Sequence, residues 1–442
     1  MVEPSIGFRV IGRLSKENAL NETDAGRPLP RAERDTSRSR RLRFGPGLII
    51  AASFIGPGTI TTSVVTGASY GFALAWTVLF SIIATIILQE MSGRLGIATR
   101  LSLGEALRTV FASRIARMAM VVLVVAAIGI GGASYAGGDT TGTALALSTV
   151  TGIDQRLIVI VVIAFIGALL WTGSYKAIEV VLTIFVVILG VIFVMTAFVV
   201  RPPISEMLEG LFVPTIPSGS LLVAIALIGT TVVPYNMFLQ SSLVQEKWGK
   251  GAVEESLKES RRDTVLSISV GGVITLAVMA TAFGGMYVKG MTAETAEDMT
   301  QALEPLLGSA APWVFATGLF AAGFTSAVAG PLGAAYAISG TLGLSTDLKA
   351  KPARIIWISV LVIGGIFAVT GINPVQIIIL AQAANGLLLP IIAAFLMIVM
   401  NNRRLMGRYR NGVVANILGW LICLVVTGLA VFQLADLFGA WG

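Results

Sequence analysis

Long apolar segments are the feature that most constrains the fold of this 442-residue chain. A helix that crosses a bilayer needs about 20 consecutive, mostly apolar residues. Eleven such segments begin near Pro46, Phe72, Met118, Leu157, Ala177, Leu221, Leu266, Trp313, Ile355, Pro374 and Val413. Because the backbone has no water to bond with in lipid, segments of this length are expected to be helical. The sequence therefore predicts an all-α polytopic membrane protein.

The composition excludes several other classes of protein. Hydrophobic residues make up 55% of the chain and charged residues 12%, whereas soluble domains carry about 25% charged residues. The net charge of +7 lies in short runs between apolar segments, so we expect no nucleic-acid partner. The single cysteine, Cys423, excludes an intrachain disulfide, and the chain has no histidine. Phosphate-binding loops, Cys/His clusters and Ser/His pairs are missing as well, so we expect neither an enzyme nor a bound cofactor.

Positive charge is concentrated in every second loop. With the N-terminus inside, four cytoplasmic loops are rich in Lys and Arg. The loop between spans two and three contains Arg94, Arg100, Arg108, Arg114 and Arg117, and the loop between spans six and seven contains Lys247, Lys250, Lys258, Arg261 and Arg262. The loop between spans eight and nine contains Lys349, Lys351 and Arg354, and the loop between spans ten and eleven contains Arg403, Arg404, Arg408 and Arg410. The opposite loops contain little beyond Arg156, Arg201 and Lys289. This bias predicts a cytoplasmic N-terminus and an external C-terminus.

The first 42 residues differ in composition from the rest of the chain. They are polar and rich in arginine, and no apolar core precedes the first span, so they do not resemble a signal peptide. We predict a disordered, basic cytoplasmic tail over residues 1–42 and a transmembrane domain over residues 43–442. We expect this domain to lie in a lipid bilayer, as an integral protein of a bacterial plasma membrane.

Two of the apolar segments are interrupted in their middles. Ile55-Gly56-Pro57-Gly58-Thr59 breaks the first segment, and Val232-Val233-Pro234-Tyr235-Asn236 breaks the sixth. Proline removes a backbone donor, glycine leaves helical geometry easily, and unwound backbone at bilayer depth is tolerated where it lines a cavity. Interruptions at matching positions of two five-helix halves are typical of secondary transporters, and they predict a substrate site between the breaks.

The residues around the breaks resemble the natural resistance-associated macrophage protein (NRAMP) family of proton-coupled divalent metal transporters. Gly45-Pro46-Gly47 through Thr59 is similar to the family's GPG…DPGN, Gln89 through Gly96 to its Q…RLG, and Gly229 through Asn236 to its GATVMPHN. Leu239 through Val244 is similar to LHSSLV, and the eighth and tenth spans add Gly318 through Gly323, Gln382 and Leu389-Pro390. The resemblance implies a LeuT-type fold with two inverted five-helix repeats, an eleventh helix, and broken first and sixth helices.

The positions that carry metal ligands in the family differ in this chain. The resemblance assigns the metal to the Asp and Asn of DPGN and the Met of MPHN, and these positions are Gly56, Thr59 and Val233 here. The two sixth-span histidines are replaced by Tyr235 and Gln240. We expect a substrate site of Gly56, Pro57, Gly58, Thr59, Thr230, Val233, Asn236 and Gln382. The expected metal ligands are the oxygens of Thr59, Asn236 and Gln382 and the freed carbonyls near Gly56 and Thr230.

Asp139 is the acidic residue inside a span that most suggests function. It could hold the cation or carry a coupled proton, or it could be satisfied by Thr140, Thr141 or Thr143 or by a distant arginine. Glu90 and Arg94 lie one turn apart and are interpreted as a structural ion pair.

We predict a transporter that moves a divalent cation by alternating access, with hard or partly hydrated ions such as Mg²⁺ or Mn²⁺ favoured over soft metals, because the thioether is gone. The alternative is a carrier of a small organic or zwitterionic solute such as an amino acid, since Gly-x-Gly-Thr in a broken helix also resembles the amino acid–polyamine–organocation superfamily. A sensor that keeps the fold, and a channel, remain as further alternatives.

Overall fold

The computed structural model describes residues 45–437 with some gaps. The gaps are 112, 174–179, 182–183, 186–187, 189–190, 193–194, 196–197, 200, 294–297, 299, 301–306 and 371–372. Within this part the chain is helical and contains no strand. The helices are α1 (Pro46–Phe54), α2 (Pro57–Tyr70), α3 (Ala75–Thr99), α4 (Leu103–Val110), α5 (Arg114–Thr151), α6 (Gln155–Trp171), α7 (Ile204–Phe212), α8 (Leu221–Thr231), α9 (Pro234–Trp248), α10 (Val253–Gly285), α11 (Ala311–Leu342), α12 (Lys351–Ala368), α13 (Pro374–Asn401), α14 (Arg403–Met406) and α15 (Val413–Leu437).

The predicted spans correspond closely to these helices. Among the described residues, eight spans are long and apolar enough to cross a membrane, and the bent pair α1–α2 makes a ninth. Helix α6 is a shorter apolar helix of the fourth segment. The predicted fifth segment, which begins near Ala177, lies mostly outside the described residues, as does the predicted tail over residues 1–42.

The first span is broken where the sequence places Gly56 and Pro57. Helix α1 ends at Phe54, and α2 starts at Pro57, whose fixed φ suits the first helical position. Gly56 between them is extended, with φ −105° and ψ −174°, and the two half-helices meet at 51°. The predicted interruption of the first helix is therefore confirmed.

The sixth span is interrupted in the same manner but with a smaller bend. Helix α8 ends at Thr231, and α9 begins at Pro234. Val233 between them is extended, with φ −79° and ψ 124°, so the helical hydrogen-bond ladder stops for one turn. Both breaks are buried inside the helical bundle.

Helix α5, the third span, lies at the centre of one part of the bundle. It packs against α11, α12 and α13, while α10 packs against α1, α2 and α3. Small residues allow the close approach to α12: a Cβ atom on Gly137 would lie 3.0 Å from the Gly364 carbonyl oxygen. This packing brings the middle of α5 alongside the break in the first span.

The start of the first span is attached to α10 by one carboxylate. Asp263 accepts hydrogen bonds from the backbone N–H groups of Gly45, at 2.8 Å, and Gly47, at 2.7 Å. These donors belong to the first turn of α1, which has no partner for them within the helix. Asp263 thereby serves as an N-terminal cap supplied from a distant part of the sequence.

Candidate functional site

The two breaks are joined by a hydrogen bond between Ser53 and Asn236. The Ser53 hydroxyl donates to Asn236 Oδ1 at 2.8 Å, and the Ser53 carbonyl oxygen accepts from the Ser326 hydroxyl at 2.8 Å. All three side chains are fully buried, and Asn236 Nδ2 has no partner among the described residues. Helices α1, α9 and α11 therefore meet at this point, with one amide group still unsatisfied.

A second bridge connects the breaks through Thr59 and Thr230. Their hydroxyl oxygens are 2.9 Å apart, and the Thr59 hydroxyl also contacts the Phe54 carbonyl oxygen. The Thr230 carbonyl oxygen accepts from the Tyr135 hydroxyl at 3.0 Å. The Gly56 carbonyl oxygen accepts from the Ile60 N–H at 3.1 Å. These hydroxyls and carbonyls, which the sequence suggested as cation ligands, have protein partners in this structure.

The carboxylate of Asp139 lies beside the break in the first span. A Cβ atom added to Gly56 would lie 3.1 Å from Asp139 Oδ1 and 2.7 Å from the Ser326 hydroxyl oxygen. Asp139 is fully buried, and neither of its carboxylate oxygens has a hydrogen-bond partner among the described residues. A buried acidic group without a hydrogen-bond partner inside a span is a candidate for binding a cation or a proton.

The three threonines that follow Asp139 do not satisfy its carboxylate. Thr140 and Thr141 donate to the carbonyl oxygens of Ala136 and Gly137, four residues back along α5, and Thr143 donates to the backbone carbonyl of Asp139. This back-bonding is common for threonine in helices. The structural alternative for Asp139, a carboxylate capped by these hydroxyls, is therefore not realised.

Gln382 adds a second unsatisfied group to the site. It is fully buried, and neither Nε2 nor Oε1 has a partner among the described residues. Its amide lies so close to Gly58 that a Cβ atom there would overlap it, and a Cβ atom on Gly138 would be 3.9 Å from Nε2. The glutamine thus reaches from α13 to the start of α2 and to the residue before Asp139.

Glycines on two helices make room for the proline that starts α2. Cβ atoms added to Gly142 on α5 or Gly323 on α11 would press against the Pro57 ring. Pro57 is buried, as is Gly58 next to it. We conclude that Pro57 and Gly58 shape the site through packing, whereas the polar groups around them are the candidates for binding.

An aromatic pair closes one side of the site. Tyr135 and Tyr235 pack edge to face with ring centroids 5.6 Å apart. Tyr235 is buried, and its hydroxyl has no partner among the described residues. Val233, at the position of the family's methionine, is buried and offers only aliphatic surface. No soft ligand comes from either residue.

Sequence analysis missed three residues of this site, namely Ser53, Tyr135 and Ser326. Serine and tyrosine are common in membrane helices, and nothing in the local pattern separates these residues from their neighbours. Their role follows from contacts between positions far apart in sequence, such as Ser53 with Ser326. No spacing rule within one helix would reveal such a contact.

The chemistry of the site is that of one carboxylate among neutral oxygens. Among the described residues, no group of three or more His, Cys, Asp or Glu side chains could hold a metal ion. Asp139 provides the carboxyl group, and Gln382, Asn236 and Ser326 provide amide and hydroxyl groups. Carboxylate, carbonyl and hydroxyl oxygens are the ligands of hard cations.

The Glu90–Arg94 pair predicted from sequence is confirmed, and it lies well away from the breaks. Arg94 Nη2 is 3.1 Å from Glu90 Oε2, and Arg261 Nε is 2.8 Å from the other oxygen of Glu90. Arg94 also donates to Asn411 Oδ1 at 2.8 Å. The pair is thus part of a larger network at one end of the bundle.

Comparison with known proteins agrees with this architecture. The family model for natural resistance-associated macrophage protein-like proteins matches residues 47–436. The chain is 28% identical over 409 residues to the divalent metal cation transporter MntH of Klebsiella pneumoniae strain 342, covering 90% of this chain and 96% of the relative. It is 26% identical over 398 residues to MntH of Caldanaerobacter subterraneus subsp. tengcongensis, covering 88% and 92%.

Solved structures show the same fold. The manganese transporter of Eremococcus coleocola, in complex with an aromatic bis-isothiourea substituted compound, superposes with a TM-score of 0.69 at 21% identity, covering 90% of this chain and 88% of that one. The nucleobase-cation-symport transporter Mhp1 superposes with a TM-score of 0.55 at 15% identity, covering 90% and 94%. The predicted LeuT-type fold is therefore confirmed, and the chain is a member of the NRAMP-like family of integral membrane proteins.

Proposed function

We propose that this protein is a secondary transporter of a hard divalent cation, with Mg²⁺ favoured over soft transition metals. The family membership and the names of the MntH relatives support divalent metal transport as the general activity. The family's Asp, Asn and Met ligands are replaced here by Gly56, Thr59 and Val233, and this replacement supports a change in the preferred ion. We expect the two broken spans to give alternating access to the site from the two sides of the membrane.

The observation that carries the proposal is the unpartnered carboxylate of Asp139 beside Gly56. By resemblance, the family holds its metal with a carboxylate at position 56, and this chain has none there. Asp139 supplies a carboxylate from α5 to the same space. The site thus keeps a carboxyl group on the third span and lacks the one on the first.

The neutral groups of the site support a hard ion that keeps part of its water shell. Mg²⁺ gives up its waters reluctantly, and proteins often bind it through one or two carboxylates. The amides of Gln382 and Asn236 have unsatisfied atoms that could bond to metal-bound water. Val233 lacks the sulfur that would favour softer metals.

The alternative substrate, a small zwitterion such as an amino acid, fits the site less well. That hypothesis relied on Gly56 having removed the charge that would repel a substrate carboxylate. A Cβ atom on Gly56 would lie 3.1 Å from Asp139 Oδ1. A substrate carboxylate bound at the start of α2 would therefore lie close to a second carboxyl group.

Uptake into proteoliposomes tests the proposal. We expect purified protein to move Mg²⁺, to move Mn²⁺ less well, and to move no member of an amino acid panel. Asp139→Asn keeps the shape but removes the charge and should lower Mg²⁺ uptake by about tenfold or more, equivalent to about 1.4 kcal/mol in binding. Glu255→Gln, at an exposed position of α10, is the matched control and should leave uptake unchanged. Transport of an amino acid without Mg²⁺ uptake would contradict the proposal.

We further propose that the charged loops face the cytoplasm, with the N-terminus inside and the C-terminus outside, in a bacterial plasma membrane. The support is the bias of Lys and Arg toward alternate loops. Cysteines introduced singly at exposed Arg156 and Arg403, in a Cys423→Ser background, provide the test. An impermeant thiol reagent added to intact cells should label position 156 and spare position 403.

A further inference from the structure

A basic cavity lies at the end of the bundle that is predicted to be cytoplasmic, away from the helix breaks. Its volume is about 500 Å³, and it lies between α3, α10 and the turn that follows α14. Six cationic side chains line it: Arg94, Lys258, Arg261, Arg262, Arg408 and Arg410. One acidic side chain, Glu254, lines it as well.

Some of the cations have partners within the protein. Arg94 is largely buried and donates to the carbonyl oxygens of Tyr409, at 2.9 Å, and Arg410, at 3.3 Å. Arg408 pairs with Glu254 at 3.0 Å. Arg94 thereby fixes the turn against α3, so that the arginines on the turn face those on α10.

Three other cations have no such partner. The side chains of Lys258, Arg262 and Arg410 make no ion pair or hydrogen bond within the described part of the chain. Lys258 and Arg262 are four residues apart on α10 and therefore lie on one face, with Arg261 beside them, and like charges at this spacing repel one another. Even after the charges of Glu254 and Glu90 are counted, the cavity keeps an excess of positive charge.

We infer that this cavity is a binding site for a phosphate-bearing anion. Arginine presents a planar fork of donors that matches phosphate oxygens, and Lys258 adds a point charge. The volume falls within the range of about 300–1,000 Å³ that is usual for small-molecule sites, which is more than a simple ion needs. An anion here would relieve the repulsion between the three unpaired cations.

The phosphate could belong to the headgroup of an anionic lipid or to a soluble polyphosphate. Basic pockets on the cytoplasmic side of membrane bundles are suited to lipid headgroups. Two probes distinguish the sources: phosphatidylglycerol and pyrophosphate. Binding of phosphatidylglycerol to the full chain in neutral detergent is measured by native mass spectrometry, and binding of pyrophosphate by equilibrium dialysis. Preference for the first probe identifies a lipid site, and preference for the second identifies a soluble ligand.

The key variant removes the three unpaired cations, as Lys258→Gln, Arg262→Gln and Arg410→Gln together. We expect the Kd of the preferred probe to rise by about tenfold or more. The control variant removes three exposed cations outside the cavity, Lys250→Gln, Arg403→Gln and Arg404→Gln, and changes net charge equally. It should leave the Kd nearly unchanged. An equal loss in both variants, or no binding of either probe to the parent protein, would overturn the inference.

A variant that is expected to bind the probe more tightly distinguishes loss of the site from misfolding of the protein. Glu254→Gln removes the acidic side chain of the cavity and frees Arg408 from its ion pair. It should tighten binding of the preferred probe, which a destabilised protein would not do. Weaker binding in Glu254→Gln would count against an anion site.

Discussion

Gly56 lies against the carboxyl group of Asp139: a Cβ atom placed on Gly56 would lie 3.1 Å from Asp139 Oδ1. A side chain at position 56 would therefore press against Asp139, and more closely against Ser326, whose Cβ atom and hydroxyl oxygen would each lie 2.7 Å away. The carboxyl group of Asp139 thus lies next to the position at which, by resemblance, the family carries its first-span carboxylate. This relationship can be tested by moving the carboxylate from position 139 to position 56.

We expect the carboxylate to be transferable between the two positions. Gly56→Asp alone should lower stability by about 1–3 kcal/mol, because the new side chain meets Asp139 and Ser326. Adding Asp139→Ala should recover only part of this loss, because the contact with Ser326 stays, and should restore Mg²⁺ binding relative to Asp139→Ala alone. Thermal unfolding and calorimetric titration with Mg²⁺ measure both effects. As a control, Gly129→Ala adds a methyl group where no atom lies within 4 Å and should be tolerated. If the losses of stability in the two single variants simply add in the double variant, the side chains at positions 56 and 139 are not in contact.

Replacing Gln382 should separate stability from binding. Both amide atoms of Gln382 are buried without partners, so Gln382→Leu removes polar groups that are costly to bury. We expect unfolding temperature to stay level or rise while Mg²⁺ affinity falls by about tenfold. By contrast, Gln245→Leu loses a hydrogen bond of 2.7 Å to the Ser241 carbonyl oxygen and should lower stability by about 1 kcal/mol. Loss of stability in Gln382→Leu with unchanged affinity would show a structural role instead.

A thioether at position 233 should shift the preference among metals. Val233 is buried at the break, and Val233→Met would restore the residue that the family carries there. Because sulfur favours softer ions, we expect Mn²⁺ affinity to rise by about tenfold relative to Mg²⁺. Val232→Met, one residue earlier and also buried, is the matched control and should not change the ratio. Competition between the two ions during uptake gives the measurement.

Any proton movement is expected to depend on Asp139. The chain has no histidine, the side chain that ordinarily titrates between about pH 5 and 8. Liposomes that contain a pH-sensitive dye report acidification during uptake. We expect either no acidification or acidification that, per Mg²⁺ ion taken up, is lost in Asp139→Asn. Substrate-driven acidification that persists in this variant would reveal a proton path through other groups.

Much of the fold follows from sequence because its determinants are local. Apolar length sets the spans, and Gly56 with Pro57 and Val233 with Pro234 set the breaks at the predicted residues. The cap that Asp263 provides for α1 could not be predicted in this way, because it joins positions separated by 218 and 216 residues. Such contacts are fixed by packing of whole helices rather than by neighbouring residues.

The site was predicted less completely than the fold, for the same physical reason. The sequence marks Asp139 as an acid within a span, but it leaves open whether Thr140, Thr141, Thr143 or a distant arginine satisfies the carboxylate. The structure shows that helical back-bonding occupies those hydroxyls and that Ser326, from the eighth span, lies beside the carboxylate instead. The predicted binding roles of Thr59, Asn236 and Gln382 remain predictions that the experiments above can test.

The hydrogen bonds between Asp263 and the start of α1 affect how α1 can move. Its partners are the backbone amides of Gly45 and Gly47, so replacing side chains along α1 leaves both hydrogen bonds in place. Any movement that carries α1 away from α10 must release them together, at about 1.5–3 kcal/mol for each hydrogen bond to a charged group. One acidic side chain on the seventh span thus adds to the free energy needed to release the first half-helix, whichever substrate lies at the break.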